Sequence, residues 1–376
     1  MDTMKILHVF PSAFLGGSEL CAIESIESLQ KMGVENHVIL PTNGEVAKRL
    51  ENLSVSFEII QNSWWMSSKP WKTFLKVIML KGFYSSAKSI HKYIKTHSID
   101  VVITHSIVIP SAAIAARLSN VPHVWYLHEY GDLDHQLKFE YGKQFSFKII
   151  NKLSRKIIVN SEGLKKYFSE KLSPNKINRL YYAVKYPEFS ALMQKPANEL
   201  ALCMVGRIAK GKNQLVALKA LNLLKQESIY PRLVFVGGAD QEYLNMLQQY
   251  IQINNLENQI VFAGQTDQPW DYVIKSHAVL VCSVMEAFGR VTIEAMKAGR
   301  MPVVSDTGAG LELIQNHENG FLFDPQNENE LAEILKHIWA KTDCSKITVS
   351  ARKYALEHFS LKTHGRELFK IIEDTL

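Results

Sequence analysis

Short apolar segments alternate with amphipathic helical segments along almost the whole chain, and this alternation limits the possible folds more than any other feature. In the first half, strands are predicted over residues 5–11, 37–41, 55–60, 100–105, 123–128 and 156–160. The segment 18–33 has helical periodicity and ends on Gly33, a residue type that commonly terminates helices. Strands and helices that alternate at this spacing predict a parallel, doubly wound sheet.

A second alternating series follows an irregular segment. Its predicted strands are residues 200–205, 232–236, 259–263, 278–282 and 301–305. Residues 182–198 contain Pro187 and Pro196 and show no clear period, so we interpret them as a linker.

Two alternating series of similar size predict an α/β protein with two Rossmann-like, doubly wound parallel-sheet domains that face a cleft. We expect an N-terminal domain over residues 1–186 and a second domain over residues 187–358. The helical tail, residues 359–376, is expected to pack back towards the N-terminal domain. Ligands of such sheets bind at the carboxyl ends of the strands, and each candidate residue below follows a predicted strand.

Composition excludes several other classes of protein. The 376 residues, 47% hydrophobic and 21% charged, suit a globular protein of two ordinary domains. The four cysteines are scattered without a CxxC pair, so neither a zinc site nor a disulfide framework is indicated, and a reducing compartment fits. Residues 1–5 lack a signal-peptide layout, and no apolar run approaches the roughly 20 residues of a membrane span. We therefore expect a cytoplasmic location.

The net charge of +6 is unevenly distributed. Residues 61–99 contain seven lysines and no Asp or Glu, with tryptophan, phenylalanine and tyrosine interleaved. One interpretation is contact with an anionic membrane surface, where Trp anchors at the headgroups and each Lys contributes about 1 kcal/mol, which would make the protein peripheral on the inner face of the membrane. The other is a solvated helix pair with its aromatic side chains in the core. Nucleic acid is a weaker candidate because no nucleic-acid motif accompanies the charge.

The run from Cys282 to Ala295, CSVMEAFGRVTIEA, joins a predicted strand to a predicted helix and carries an acid at each side of a glycine turn. Glu286 falls in the loop and Glu294 about two helical turns later. A helix that starts at Phe288-Gly289-Arg290 would direct its dipole and free amides at a phosphate. The simpler alternative is two solvent-facing glutamates on an amphipathic helix.

A basic loop, GRIAKGKN, follows the first strand of the second series. Arg207 offers a planar fork for phosphate oxygens and Lys212 a point charge, so together they could neutralise a diphosphate without a metal. The alternative is a solvated basic loop.

Two features of the first half also suit ligand binding. Gly16 and Gly17 precede a helix and would let the backbone approach an anion, but the turn is not the GxGxxG dinucleotide fingerprint. His128 ends a strand and has acidic neighbours, which fits hydrogen bonding to a substrate or proton transfer. A plain flexible turn and a structural histidine are the alternatives.

Taken in order, six motifs resemble those of the family 4 retaining glycosyltransferases with the GT-B fold, and the resemblance covers nearly the whole chain. They are GRIAKGK, VFVGGA, VFAGQTD, EAFGRVTIE, SDTGAG and NGFLFDP. Each motif is weak alone, but six in the family's order are specific.

The resemblance implies roles for the residues of the second domain. Glu294 would bind the ribose hydroxyls of the donor nucleotide, and Glu286 would orient the donor sugar. Arg207 and Lys212 would hold the diphosphate. The remaining donor-binding positions, at the turn before the helix, would be Phe288, Gly289 and Arg290.

In the first domain, the resemblance implies that Gly16 and Gly17 approach the donor and that His128 is the family's catalytic-loop histidine, in contact with the donor sugar. The chain departs from the family at residues 180–184, LYYAV, where an Asn-Gly turn is usual. This departure concerns the hinge more than the chemistry.

The resemblance implies transfer from a nucleotide-diphosphate sugar of UDP or GDP type, with retention and without a divalent metal or other cofactor, by a front-face route in which the departing diphosphate helps to deprotonate the acceptor. A sugar or lipid-linked acceptor, as in cell-surface polysaccharide or glycolipid assembly, is expected. A nucleotide-sugar epimerase on a related fold and a non-catalytic membrane-associated binding protein remain as alternatives. The presence of Glu286, Glu294, Arg207 and Lys212 disfavours the non-catalytic binding protein.

Overall fold

The computed structural model describes residues 3–69, 71–186, 199–340 and 344–376. The chain forms two compact units, Met1–Lys185 together with Phe359–Leu376, and Tyr186–His358. Most of the predicted linker, residues 187–198, lies outside the described residues.

The first unit is built on a seven-stranded parallel sheet with the order β3-β2-β1-β5-β6-β8-β9. Its strands are β1 (Lys5–Val9), β2 (Glu35–Leu40), β3 (Ser56–Ile59), β5 (Val101–His105), β6 (His123–Leu127), β8 (Lys156–Val159) and β9 (Ile177–Arg179), and a separate antiparallel pair is formed by β4 (Met66–Ser67) and β7 (Lys138–Phe139). All residues of the central strands β5 and β6 are buried, as expected for a parallel sheet covered on both faces.

The helices of this unit follow the strands as crossover connections. They are α1 (Gly17–Gln30), α2 (Glu45–Asn52), α3 (Thr73–His97), α4 (Ser111–Ser119), α5 (Lys143–Leu153) and α6 (Glu162–Ser169). The sequence patterns therefore gave the parallel, doubly wound architecture correctly.

The second unit repeats the plan with a six-stranded parallel sheet, in the order β12-β11-β10-β13-β14-β15. Its strands are β10 (Ala201–Val205), β11 (Arg232–Val236), β12 (Ile260–Gly264), β13 (Ala278–Val281), β14 (Met301–Ser305) and β15 (Phe321–Phe323). Its helices are α7 (Gln214–Gln226), α8 (Gln241–Ile253), α9 (Trp270–Val273), α10 (Arg290–Lys297), α11 (Gly310–Leu313), α12 (Glu328–Trp339) and α13 (Ser345–His358).

The segment 61–99 differs from the predicted helix pair. It contains one long helix, α3, preceded by the short strand β4. Its aromatic side chains are also divided, because Trp65 and Phe83 are buried whereas Trp64 and Tyr84 are 39% and 53% exposed. The interpretation that placed the aromatic side chains in the core is therefore wrong for Trp64 and Tyr84.

The last helix, α14 (Leu361–Glu373), returns to the first unit and packs on α1. Gly365 makes this contact close, since a Cβ atom there would lie 3.2 Å from the carbonyl oxygen of Ser28. The backbone amide of Val184 also donates to the carbonyl of Phe359 at 3.1 Å. The chain thus leaves the first unit and re-enters it through two segments that are hydrogen bonded to each other.

Candidate active site

Glu286 lies in the loop that leaves β13, and its carboxylate is held by two side chains. Nζ of Lys212 and Oγ of Ser283 each donate to the same carboxylate oxygen at 2.8 Å. Burial alone would raise the pKa of Glu286, but the charge and hydrogen bond of Lys212, with Ser283 and the Gly289 backbone, lower it below its usual value. The structure therefore places an ionised carboxylate and an ammonium group in contact.

The loop after β14 fixes the backbone of the Glu286 loop. The amide of Ala309 donates to the carbonyl of Glu286 at 2.9 Å. Gly308 has a φ of +51°, and a Cβ atom there would lie 2.1 Å from the same carbonyl oxygen. Oγ of Ser305 donates to the carbonyl of Ser283 at 2.7 Å. Only glycine fits at position 308, and the two loops form one framework around the carboxylate.

The basic loop is joined to this framework. Residues Lys210–Lys212 form a single turn of 3-10 helix, and the amide of Val284 donates to the carbonyl of Gly211 at 3.0 Å. Lys212 is half-buried, whereas the Arg207 residue is exposed just after β10. The structure thus brings Lys212 to Glu286 and leaves the Arg207 side chain facing solvent.

Glu294 lies on the first turns of α10 and pairs with Arg290 on the same helix. Nε of Arg290 is 2.9 Å from a Glu294 oxygen, and both side chains are largely buried. Gly289 precedes the helix with a φ of +82°, and Phe288 is buried beside it. Glu294 is therefore not a solvated glutamate on an exposed helix face, as the simpler alternative had it.

In the first unit, Gly16 and Gly17 form the start of α1. A Cβ atom at Gly16 would lie 2.7 Å from an oxygen of Glu19, whereas the space around Gly17 is open. Glu19 is buried, burial raises its pKa, and its carboxylate accepts from Ser18 Oγ at 2.9 Å. Sequence reasoning did not assign Glu19 or Ser283, although both stand inside the motifs that it selected.

His128 directly follows β6 and is almost fully buried. Its Nε2 is 3.0 Å from Nδ1 of His105, and its Nδ1 contacts the hydroxyl of Tyr182. Burial, helped by the nearby His364, lowers the pKa of His128 to about 3, so the ring is neutral near pH 7. Both ring nitrogens therefore have partners within the first unit.

No group of three or more His, Cys, Asp or Glu side chains among the described residues has a metal-holding arrangement. Within the described residues, none of the helices combines the length and the hydrophobicity that a membrane span requires.

Two family models together match most of the chain. Residues 187–355 match the glycosyl transferases group 1 model, and residues 15–185 match the glycosyltransferase family 4 model.

Several of the similar proteins are bacterial glycosyltransferases. The UDP-Gal:alpha-D-GlcNAc-diphosphoundecaprenol alpha-1,3-galactosyltransferase of Escherichia coli is 24% identical over 85% of this chain and 84% of its own. The capsular polysaccharide biosynthesis glycosyltransferase CapH of Staphylococcus aureus is 24% identical over 93% of this chain and 92% of its own. Among solved structures, Anabaena HepE in complex with UDP and glucose superposes with a TM-score of 0.80 at 22% identity, over 98% of this chain and 99% of that chain.

Proposed function

The chain belongs to the group 1, family 4 glycosyltransferases, and we propose that it transfers a sugar from a nucleoside-diphosphate sugar to an acceptor hydroxyl with retention of configuration. The GT-B fold is shared with solved glycosyltransferases. The observation that carries the proposal is the Lys212–Glu286 contact at the end of β13, beside the start of α10.

This contact is suited to exchanging partners when a donor binds. The pair carries no net charge, so a diphosphate that arrives at the basic loop would attract Lys212 away from Glu286. The released carboxylate could then accept hydrogen bonds from sugar hydroxyls. Arg207, already exposed to solvent, would supply a second cation. Charge that develops on the leaving group is thus met by side chains, which supports turnover without a metal.

Retention by a front-face route is compatible with the same pair. A carboxylate nucleophile has to approach the sugar with a free oxygen lone pair. Glu286 has one oxygen bound by Ser283, and once Lys212 turns to the diphosphate its remaining lone pairs would accept hydrogen bonds from the sugar hydroxyls. A role in orienting the sugar therefore suits Glu286 better than nucleophilic attack.

A uridine diphosphate donor is the form that we propose. The Escherichia coli relative is named for UDP-Gal, and HepE was solved with UDP, with UDP and glucose, and with UDP-glucose. Glu294, fixed by Arg290, would receive the ribose hydroxyls.

For the acceptor, we propose a lipid-linked sugar presented at an anionic membrane. The Escherichia coli relative is named for a diphosphoundecaprenol acceptor. On α3, Val77, Ile78, Leu80 and Tyr84 are each more than half exposed. Lys81 and Lys88 lie among them and are exposed too. Positions 77, 81, 84 and 88 follow the helical repeat, so apolar and basic side chains share one face. Ile78 and Leu80 lie to either side of this stripe, and we refer to all six residues as the α3 face.

The charge of the first half supports the same surface. Residues 1–186 hold 24 of the 43 Lys and Arg residues but 15 of the 37 Asp and Glu residues. An anionic surface would therefore attract this half of the chain.

The test is donor binding and transfer with the purified protein. A matching nucleotide sugar should raise the melting temperature by mass action, and UDP should do so more than GDP. Incubation with the donor alone and EDTA identifies an epimerase, which would convert the donor without an acceptor, and adding the acceptor identifies a binding protein, which would still leave the donor unchanged. Transfer to a polyprenyl-linked acceptor in EDTA is the expected result. Epimerisation of the donor without an acceptor would refute the proposal.

A further inference from the structure

Three buried histidines form a continuous hydrogen-bonded row across the sheet of the first unit. His8 lies in β1, His105 ends β5, and His128 follows β6, and these three strands are neighbours. Nδ1 of His8 is 3.0 Å from Nε2 of His105, and Nδ1 of His105 is 3.0 Å from Nε2 of His128. The successive rings are nearly parallel, with interplanar angles of 16° and 11°. We call these three residues the histidine row.

Asn36 in β2 sets the direction of the row at one end. Its Nδ2 donates to the carbonyl of Val34 at 3.1 Å, so its Oδ1, 3.0 Å from Nε2 of His8, must accept. A neutral imidazole has one N–H, and Nδ1 of His8 is then an acceptor. The same reasoning passes along the row and assigns the hydrogen of His105 and of His128 to Nε2.

The contacts at the opposite end of the row are consistent with this direction. Nδ2 of Asn160 donates to the carbonyl of His128 at 3.0 Å and to the hydroxyl oxygen of Tyr182 at 2.8 Å. Because Nδ1 of His128 is assigned as an acceptor from the Asn36 end, the hydroxyl of Tyr182 donates to it, and the oxygen of that hydroxyl accepts from Asn160. All hydrogen bonds from Asn160 to Asn36 therefore point the same way, an arrangement in which each bond polarises the next.

The neutral state of the rings agrees with this assignment. Burial lowers the pKa of His8 to about 4 and that of His105 well below its usual value. An added proton would also give one ring two N–H groups, and one of them would face a neighbouring donor.

Tyr182 lies in the segment where the sequence departs from the family's Asn-Gly turn. In this chain, its buried hydroxyl closes the histidine row. The departure at residues 180–184 is therefore linked to the state of His128 as well as to the hinge.

We propose that His8 and His105 are positioning residues, which hold the imidazole of His128 in one orientation as the neutral Nε2–H tautomer. This inference rests on the proposed function, in which His128 faces the donor sugar. In this tautomer Nδ1 is an acceptor, so a sugar hydroxyl would reach His128 as a donor, in exchange with the hydroxyl of Tyr182. Asn36 acts at the far end of the row, three hydrogen bonds away from the imidazole of His128.

The test combines NMR spectroscopy of the histidine rings with steady-state kinetics. Long-range proton–nitrogen spectra of histidine-labelled protein at pH 7 should show Nε2 protonated in His8, His105 and His128, each assigned by the signal that is lost in its own substitution. His105→Phe keeps a ring of similar size but removes the acceptor of His128. We expect the His128 signals to leave the Nε2–H pattern and kcat to fall about tenfold, the effect of one lost neutral hydrogen bond, with little change in the KM for the donor.

Two further variants separate positioning from folding. His105→Asn places an oxygen near the former Nδ1, so it should restore both the His128 signals and most of kcat. His123→Phe is the matched control, because His123 is another buried histidine of this unit and bonds Thr104 at 2.7 Å outside the row. It should lower stability without moving the His128 signals or kcat.

Three results would overturn the proposal: an Nδ1–H pattern for His128 in the unsubstituted protein, an unchanged pattern in His105→Phe, or a loss of kcat in His105→Phe no larger than in His123→Phe. The NMR result does not depend on turnover. If no nucleotide sugar is turned over, the proposed function fails, while the tautomer assignment is still decided by the spectra.

Discussion

Nζ of Lys212 lies 2.8 Å from the carboxylate of Glu286, although 74 residues separate the two in the chain. The contact joins the loop after β10 to the loop after β13, which are neighbouring strands of one sheet. The charges of the two side chains cancel within this pair. When a diphosphate binds, Lys212 exchanges its ion pair with Glu286 for one with the diphosphate. The net gain from charge is then small, and the geometry of the two loops determines which donor binds.

Removing Lys212 should impair the chemical step. We expect Lys212→Ala to lower kcat by more than about tenfold, because the leaving diphosphate loses a cation as its charge develops. Lys219→Ala is the matched control, since Lys219 is similarly exposed and pairs with Glu328 on another part of the unit. The measurement is kcat of both variants by steady-state kinetics. Near-normal turnover in Lys212→Ala would show that Lys212 does not stabilise the leaving diphosphate.

Gly308 should not tolerate a side chain. Gly308→Ala puts a methyl group on the Glu286 carbonyl at a positive φ, so we expect a loss of about 2 kcal/mol or more in the free energy of unfolding and weaker donor binding. Gly264→Ala is the control, because its φ is +72° but nothing lies within 4 Å of the added atom, so only about 1 kcal/mol of backbone strain is expected. Denaturant unfolding of both variants should show this order, and equal losses would contradict it.

The buried histidines should make the protein sensitive to mild acid. Burial lowers the pKa of His8 and of His364 to about 4 and of His128 to about 3, so the unfolded chain binds more protons than the folded one below pH 6.5. The stability that these neutral histidines contribute is therefore full above about pH 6.5 and is lost as the pH drops towards 4. For His8 alone, a fall of the pKa from 6.5 to about 4 corresponds to a loss of about 3 kcal/mol in the free energy of unfolding once the pH is below both values.

Carboxyl groups with a raised pKa, among them Glu19 and Glu129, act in the opposite direction. Burial raises the pKa of Glu129 to about 7, so this group favours the folded state at the lower pH. Because more histidines have a lowered pKa than carboxyl groups have a raised one, we expect a net loss of stability between pH 6.5 and 4.5, and Glu129→Gln should make the loss steeper. Urea unfolding at a series of pH values measures it, and a flat profile over this range would refute the linkage.

The α3 face should determine membrane binding. Ile78→Glu removes an exposed apolar side chain and adds a negative charge, so we expect binding to anionic vesicles at low salt to fall at least several-fold. Val349→Glu is the control, since Val349 is 48% exposed on α13 in the other unit. Vesicle flotation compares the two. Equal binding of both variants, or equal binding of the unsubstituted protein to neutral vesicles, would exclude the α3 face.

The sequence was informative where a pattern is local. The strands with strong apolar runs, such as β1 and β6, and the parallel order of the sheets followed from alternation, and the family was identified from motifs that are continuous in the chain. The strand β9 was not predicted because Ile177-Asn178-Arg179 has no apolar run, and it is a strand only because it pairs with β8. The three-residue strand β15 depends in the same way on β14.

The arrangement of the site could not be read from the sequence in the same way. His8, His105 and His128 each look like an isolated histidine in an apolar segment. They are brought into line by the parallel register, in which His8 is opposite Ile103 and His105 is two residues further on, on the same face. Likewise, Lys212 and Glu286 were chosen for separate reasons, and their contact depends on which strands are neighbours.

The return of α14 to the first unit has a consequence for biosynthesis. During translation, residues 1–185 leave the ribosome without the helix that covers α1, and the whole second unit is made before that helix appears. The second unit can therefore complete its fold first. Until α14 is made, the surface of α1 around Ser28, against which Gly365 packs, stays uncovered. Chaperone capture of nascent chains should accordingly be strongest for chains that end between residues 185 and 360.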